Sequence, residues 1–348
     1  MATLKVIAKA AGVSATTVWR VLNSDSTLSI TEEKRRAIIE TAASMNYASP
    51  RSRKNTNRSA LRRVAIVHFL RPEHELVDPY YVSLRLGVER RCQELRMETV
   101  RIYNTGSMAE PALLENASGV VAIGSFEADH VDWLARYSRH LVFADFIPAN
   151  EEFDAVASDL SVAMRKLLAA LTQKGYRRIA YIGWSGQADS DPFGEVRCRS
   201  YRDWMRTHAE FDPDLCMTEP SPEHNNEQLG YELTKRLLSK VQPDAIVTCN
   251  DNVAIGTYRM LNELGVSIPA NIAVASFNDI PTAQFLNPPL TTMRLPAEQI
   301  GETAVDLLLE RLAGREMVKQ ITLASNIIWR PSCEISATKH DNEKSTAG

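Results

Sequence analysis

Nowhere in the 348 residues do two cysteines stand at C-x-x-C spacing, and the five present (Cys92, Cys198, Cys216, Cys249, Cys333) are an odd number. A disulfide framework and a zinc site are both disfavoured, and a reducing cytoplasm is expected. His68, His74, His130, His140, His208, His224 and His340 show no H-x-H or H-E-x-x-H spacing, so no metal is expected. Both G-x-G-x-x-G and the Walker-A loop are missing. "GWSGQ" (183–187) falls short of the G-x-S-x-G nucleophile elbow, because Gln187 stands where the last glycine is required. No catalytic residue and no cofactor follow from such a sequence. Apolar runs are also short of the roughly 18 residues a membrane span needs. Met1 to Gly12 carries Lys5 and Lys9 and lacks the apolar h-region of a signal peptide, so no membrane partner is expected.

The composition is that of an ordinary globular chain, with 44% hydrophobic and 24% charged residues, and its length suits two or three folded units. The net charge of −3 conceals an uneven distribution. Residues 1–63 hold twelve Lys/Arg against only Asp25, Glu32, Glu33 and Glu40, while the remainder is strongly acidic. A basic head on an acidic body implies a polyanionic partner for the head alone; a plainly solvated basic face is the alternative.

In "TLKVIAKAAG", Leu4, Ile7, Ala8 and Ala11 share one face of a helix, with Thr3 placed to cap it. Gly12 supplies a helix stop, Val13 a small apolar contact and Ser14 a new N-cap. A second helix over about 15–22 turns Val18, Val21 and Leu22 inward and leaves Ala15, Thr16, Trp19 and Arg20 facing outward. Ser29-x-x-Glu32 is a capping-box pattern for a third helix, which buries Ile30, Ala37 or Ile38, Ala42 and Met45 and ends near Tyr47.

A small αα-corner would produce the same periodicity. The charge and the exposed small polar residues instead suit a helix entering the major groove N-terminus first. Arg20 can bond guanine bidentately, Thr16 and Ala15 suit thymine methyls and mixed edges, and Ser14 suits a phosphate.

Residues 49–62 are poor in hydrophobics and rich in Arg/Lys, which predicts a linker ordered only by a polyanion. Beyond it, buried-strand runs ("RVAIVHFL", "METVRIYN", "GVVAIG", "HLVFADF", "AVASD", "RIAYIGW", "DAIVTCN", "IAVASFND") alternate with helices near 80–95, 160–174, 195–209 and 252–264. Alternating βα units imply parallel sheets covered on both faces, here in two lobes with a cleft between them. "LTTMRL" and "QITLASNIIW" let the chain revisit both lobes. The expected boundaries are a helix-turn-helix head over 1–48, a hinge over 49–62 and a body over 63–334. Within the body the first lobe is 63–158 plus 290–320, and the second is 159–289 plus 321–334. The polar tail, 335–348, carries no heptad and predicts no coiled coil.

"TLKVIAKAAGVSATTVWRVLN" resembles the head of the lactose/galactose-repressor family, T-x-x-[DE]-[IV]-A-x-x-A-G-V-S-x-x-T-V-S-x-V-L-N. The likeness continues through "KRRAIIETAASMNY", "AVASD", "KGYRRIAYIG", "AIVTCNDNVAIG", "SIPANIAVASFND", "PPLTTMR" and "WRPSC", and so spans nearly the whole chain. Within the family, "VDPYYVSLRLGVE" and "NDIPTAQFLNPPLTT" are most similar to the repressor of the evolved β-galactosidase operon. The resemblance implies an all-α head hinged to an α/β body like the periplasmic binding proteins, made of two doubly wound parallel sheets with crossovers. It further implies a homodimer on operator DNA, released or recruited by a small molecule between the lobes.

Carried over position by position, the DNA contacts would be Thr3, Ser14, Ala15, Thr16, Thr17, Trp19, Arg20, Asn23, Ser29, Tyr47, Arg51 and Arg53. The effector contacts would be Tyr80, Tyr81, Asp159, Arg197, Asn250, Asp251, Asn278 and Asp279. Carboxyl ends of strands are where open α/β folds bind ligands, and Asp, Asn and Arg supply paired donors and acceptors for sugar hydroxyls. The plain alternatives are helix caps for Asp159 and Asp279 and core packing for the two tyrosines.

Four departures from the family stand out. Val6 replaces the acidic partner of Thr3, weakening helix one by about 0.5–1 kcal/mol. Trp19 replaces a small phosphate-facing serine. The A-A-R-x-L hinge is absent, with Asn55 and Thr56 near its wedging leucine, which removes an apolar wedge between base steps. Asn225 stands where some sugar-responsive relatives have an aromatic.

The expected effector is a galactoside-like sugar, with a purine or nucleoside as the alternative. Two rival classes, a plain sugar-binding receptor and a sugar-processing enzyme, lack respectively a leader sequence and an acid/base or metal constellation.

Overall fold

The computed structural model describes residues 4–22, 28, 30–44, 62–103, 111–150, 152–186, 195–208, 211–220 and 226–334. Thr3, Asn23, Ser29, Met45, Tyr47, Arg51, Arg53 and Asn225, together with the tail, lie outside them, as does the expected hinge up to position 61. The chain divides into two units: Met1–Arg62 with Leu95–Glu98, and Arg63–Glu94 with Thr99–Gly348.

In the first unit, helices α1 (Leu4–Ala10), α2 (Ala15–Leu22) and α3 (Glu32–Ser44) bury Ile7, Ala8, Val18, Val21, Ile38 and Ala42 against one another. α1 stops at Gly12, whose φ of 64° is the left-handed value glycine adopts freely. The Val13 amide then donates back to the Ala8 carbonyl (3.0 Å), closing a Schellman-type turn. Ser14 caps α2 as the sequence suggested, its Oγ accepting from the Thr17 amide at 3.1 Å.

The start of α3 differs from the capping-box reading. Thr31 is the cap, accepting from the Lys34 amide (3.4 Å), so the helix begins two residues later than Ser29 would set it. Ile38 rather than Ala37 faces the core. Leu22 and Ala15, one expected inward and the other outward, are both half-buried against the same cluster.

In the second unit, the first lobe carries strands β1 (Arg63–His68), β2 (Glu98–Tyr103), β3 (Gly119–Ile123), β4 (Leu141–Ala144), β5 (Asp154–Ser158) and β11 (Gln320–Leu323). The second carries β6 (Ile179–Trp184), β7 (Cys216–Glu219), β8 (Ala245–Thr248), β9 (Ala273–Asn278), β10 (Thr291–Arg294) and β12 (Asn326–Ile328). Strand order is β2-β1-β3-β4-β5-β11 in one sheet and β7-β6-β8-β9-β10-β12 in the other, the same doubly wound pattern twice. Ladders such as Val64 with Gly119 and Ile179 with Ala245 run parallel; β10 with β12 runs antiparallel. β3, β4 and β5 are buried at every residue, as continuous Val/Ile/Ala strands must be when helices cover both faces.

The helices of the body are α4 (Pro72–Leu76), α5 (Pro79–Glu94), α6 (Pro111–Glu115), α7 (Ala128–Tyr137), α8 (Leu160–Gln173), α9 (Val196–His208), α10 (Glu227–Leu238), α11 (Asp251–Glu263) and α12 (Ala297–Leu312). The sequence reading contained neither α10 nor α12, although Leu229, Leu233 and Leu237 recur one turn apart in the first and Ile300, Ala304 and Leu308 in the second.

Each lobe clamps one helix pair through glycines. A Cβ on Gly230 or Gly256 would strike the Val253 or Glu227 carbonyl across the α10–α11 contact. A Cβ on Gly87 or Gly301 would do the same to Glu298 or Leu84 across α5–α12.

The chain passes between lobes after Ser158, between Arg294 and α12, and between Leu323 and Asn326. β10 pairs with β9, and β11 with β5. The crossings therefore fall a few residues beyond the positions 290 and 321 expected from the sequence. Among the described residues no helix is long and apolar enough to cross a membrane.

Candidate functional sites in the head and the body cleft

On α2 the buried residues Val18 and Val21 define the inner face. Thr16 is exposed, and Trp19 keeps 50% of its surface open despite its size. Arg20 and Thr17 are half-buried, and the Thr17 hydroxyl lies 2.9 Å from that of Ser14. The helix has no acidic residue in its first turn, so the positive end of its amide dipole is opposed by no carboxylate of that turn. That arrangement suits phosphate at the helix start and base edges one turn further on.

The second site is assembled at carboxyl ends of strands. Immediately after β4, Asp145 sits at φ 66°; at the end of β9, Asn278 and Asp279 sit at φ 104° and 57°. Left-handed backbone is strained for these residues and persists where the surroundings impose it, a common mark of a working site. The Tyr80 hydroxyl donates to Asp145 Oδ1 at 2.8 Å, and Tyr81 also reaches this carboxylate. Tyr81 packs edge-on against Phe69 (4.9 Å), Tyr80 (5.1 Å) and His68 (5.7 Å), so the tyrosines form an aromatic wall. Asp78, which precedes them, accepts from the Tyr80 amide at 3.1 Å.

From the other lobe comes Arg197. Its Nε donates to Glu195 (2.6 Å), one terminal nitrogen donates to the Cys249 carbonyl (2.6 Å), and the guanidinium lies 5.7 Å from the Phe277 ring centre. Burial opposes the Arg197 charge, but Glu195, Cys249 and Tyr181 together more than offset it and the pKa is raised. Burial pushes the Asp78 and Asp145 carboxyls up to about 6, against the pull of their hydrogen bonds and of Arg197. Burial also drives the Tyr80 and Tyr81 hydroxyls well above their ordinary range, so both remain donors.

A cavity of about 160 Å³ opens beside this cluster, lined by Tyr80, Ser83, Asn278, Asp279, Arg294 and Gln299 among others. Asp279 ion-pairs there with Arg294 (2.6 Å) and Arg330 (2.7 Å). The lobes touch where Asn252 Nδ2 donates to the Val77 carbonyl at 3.1 Å.

Not every expected contact joins the group. Asp251 is buried inside the second lobe, accepting from the Ile280 amide and the Thr292 hydroxyl, both at 2.8 Å, so it braces β10 and the residue after Asp279. Asn250 caps α11 through the Val253 amide (2.9 Å). Asp159 caps α8 through the Val162 amide (2.8 Å) and is exposed, the plain alternative considered for it. His130 joins Glu127 and Asp129 in a largely exposed group at the start of α7, where Asp129 already accepts from the His130 amide (2.9 Å).

Residues 3–49 match the lacI family of bacterial regulatory proteins, and residues 168–333 match the periplasmic binding protein-like domain. The HTH-type transcriptional regulator GalR of Streptococcus thermophilus is 35% identical over 329 residues, 92% of this chain and 96% of the relative. The chain belongs to the lacI family. A lactose operon repressor of Rhizobium radiobacter is 60% identical over 108 residues, 31% of this chain and 96% of that protein. In structure, the lac repressor dimer bound to operator and the anti-inducer ONPF superposes with a TM-score of 0.66 at 19% identity, covering 95% of this chain and 99% of that one.

For a lacI-family regulator, the head is the DNA-binding part and the cleft is the place for an effector. The sequence reading missed Asp78, Asp145 and Glu195 as members of that cleft. Asp145 was open to detection, since it follows the buried run "LVFA" at a strand's carboxyl end. Glu195 offered no signal: its role exists only because folding brings Arg197 and Cys249 beside it.

Proposed function

We propose that this lacI-family regulator represses a sugar-utilisation operon and that a galactoside-like sugar, seated between Tyr80, Tyr81, Asp145 and Arg197, controls its grip on DNA. The observation that carries this reading is the convergence of the two lobes on one cleft with an aromatic wall, two carboxylates and a guanidinium. Aromatic faces suit the C–H surface of a sugar, while carboxylates and Arg suit its hydroxyls.

The choice of galactoside draws on the relatives named GalR and lactose operon repressor. The lac repressor dimer on its operator supports a homodimer whose two heads read two half-sites. Sugar binding would bias the relation of the lobes, which meet at Asn252 and Val77, by its difference in affinity for the DNA-competent and DNA-incompetent states.

A thermal-shift screen of the full chain against galactosides and nucleosides tests this, since stabilisation follows RT ln(1 + [L]/Kd). A galactoside shift that disappears in Arg197→Ala is the expected result. Stabilisation by a nucleoside and by no sugar would sink the galactoside reading.

A further inference from the structure

The charges in the cleft are unevenly satisfied. Arg197 is engaged at 2.6 Å by Glu195. Arg294, which lines the cavity, and Arg330 are both engaged by Asp279, at 2.6 and 2.7 Å. Each cation thus already faces a carboxylate of its own lobe. Asp78 and Asp145 differ: among the described residues their hydrogen-bond donors are the Tyr80 amide (3.1 Å) and the Tyr81 amide for the first, and the Tyr80 hydroxyl (2.8 Å) and the Tyr81 hydroxyl for the second, all of them uncharged. They feel Arg197 only at longer range, and Glu227 adds a further negative charge near Asp78.

From this imbalance, and on the reading that the cleft is the effector site, we infer that the regulator sorts effectors by charge. It accepts neutral sugars and amino sugars and rejects sugar phosphates and sugar acids. An added anion would meet two carboxylates that no bonded cation neutralises, in surroundings drier than bulk water, where like-charge repulsion is strong. An ammonium would gain the partner that both carboxylates lack. Arg197 cannot turn to an anion without abandoning Glu195 in a buried position, which is the costlier arrangement, and Arg294 and Arg330 share the single carboxylate of Asp279.

The test is isothermal calorimetry on the full chain at pH 7.5 with methyl β-D-galactoside, lactose, D-galactosamine, D-galacturonate and D-galactose 6-phosphate. Adenosine and its monophosphate are run beside them. The expected result is binding of the neutral sugars, galactosamine at least as tight, and anions weaker by ~100-fold or more, the scale of a close like-charge pair.

Asp78→Asn and Asp145→Asn, which keep the acceptor oxygen for the Tyr80 donors, should each narrow the gap between galactose 6-phosphate and the neutral sugars by ~10-fold. Circular dichroism of both variants confirms that they fold. Anionic sugars binding within threefold of neutral ones would overturn the inference, as would a gap unchanged in both variants. If adenosine binds and no sugar does, the galactoside reading fails by itself. The charge rule is then judged on adenosine against its monophosphate, with comparable binding of the two overturning it.

Discussion

Trp19 shows how far a single side chain can depart from its neighbours' logic. The head core is built from Ile7, Ala8, Val18, Val21, Ile38 and Ala42, and Trp19 is not among them. Its half-open indole lies on the same helix as the exposed Thr16 and beside Arg20. Trp19→Ser should therefore leave the head folded and weaken DNA binding by a similar factor, ~5-fold to 10-fold, across a panel of operator variants; the scale is about 1 kcal/mol of lost contact. Competition gels over that panel check it. A changed base preference at one position would instead make the indole a base reader.

The carboxylates of the cleft give a second prediction at this scale. Hydroxyls donating to Asp78 and Asp145 favour their charged forms, so a sugar binds best once both are ionised. Because the unliganded groups titrate near 6, affinity should be level above about pH 7 and fall as the pH drops through 6. Arg197 and Glu227 surround Asp78, while Tyr80, Tyr81 and Arg197 surround Asp145; neither arginine nor tyrosine titrates in that window. His68, in the same aromatic group, is pushed by burial down to about 4 and stays neutral there. Calorimetry between pH 5 and 8 measures the step, which should vanish in the Asp78→Asn/Asp145→Asn double variant.

Among the elements, the paired helices are the most demanding. α10 and α11 approach so closely that Gly230 and Gly256 each face a carbonyl of the other helix, as do Gly87 and Gly301 between α5 and α12. Gly256→Ala should destabilise the second lobe by about 3 kcal/mol or more, because backbone offers no soft side chain that could yield. Urea unfolding should show the midpoint falling with an unchanged slope. Gly265 has open space where a Cβ would stand and φ 70°, so Gly265→Ala costs only backbone strain, about 1 kcal/mol. It serves as the milder comparison. Close crossings of this kind also explain why both lobes keep small residues in helices whose amphipathic pattern alone would accept larger ones.

For the whole molecule, the separation of charge decides the partner. Twelve Lys/Arg against four acidic residues in positions 1–63 predict a steep salt dependence. With 6–10 phosphates contacted, operator affinity should fall by ~10³–10⁵ between 50 and 200 mM salt. A filter-binding titration over that range measures the slope, and a flat response would exclude phosphate contact through the head.

Much of the architecture could be read in the residues themselves. Gly12 and Ser14 announced the turn of the head because each acts on its own backbone, within three or four positions. The parallel lobes were legible from buried runs such as "GVVAIG" and "RIAYIGW", since strands covered on both faces read as near-continuous apolar runs. Tyr80, Arg197 and Asn278 could be marked from the family motifs they stand in.

What the linear order could not give was partnership. Asp279, Arg294 and Arg330 lie up to 51 positions apart yet form one ion-pair group, and Asp251 turned from a candidate contact into a brace for Thr292 and Ile280. The lobe boundary moved past Arg294 because β10 found its hydrogen bonds on β9. Local steric and capping preferences act over a turn of chain and are written in the sequence. Which buried charge is neutralised, and by which neighbour, depends on distances that exist only after the lobes have folded.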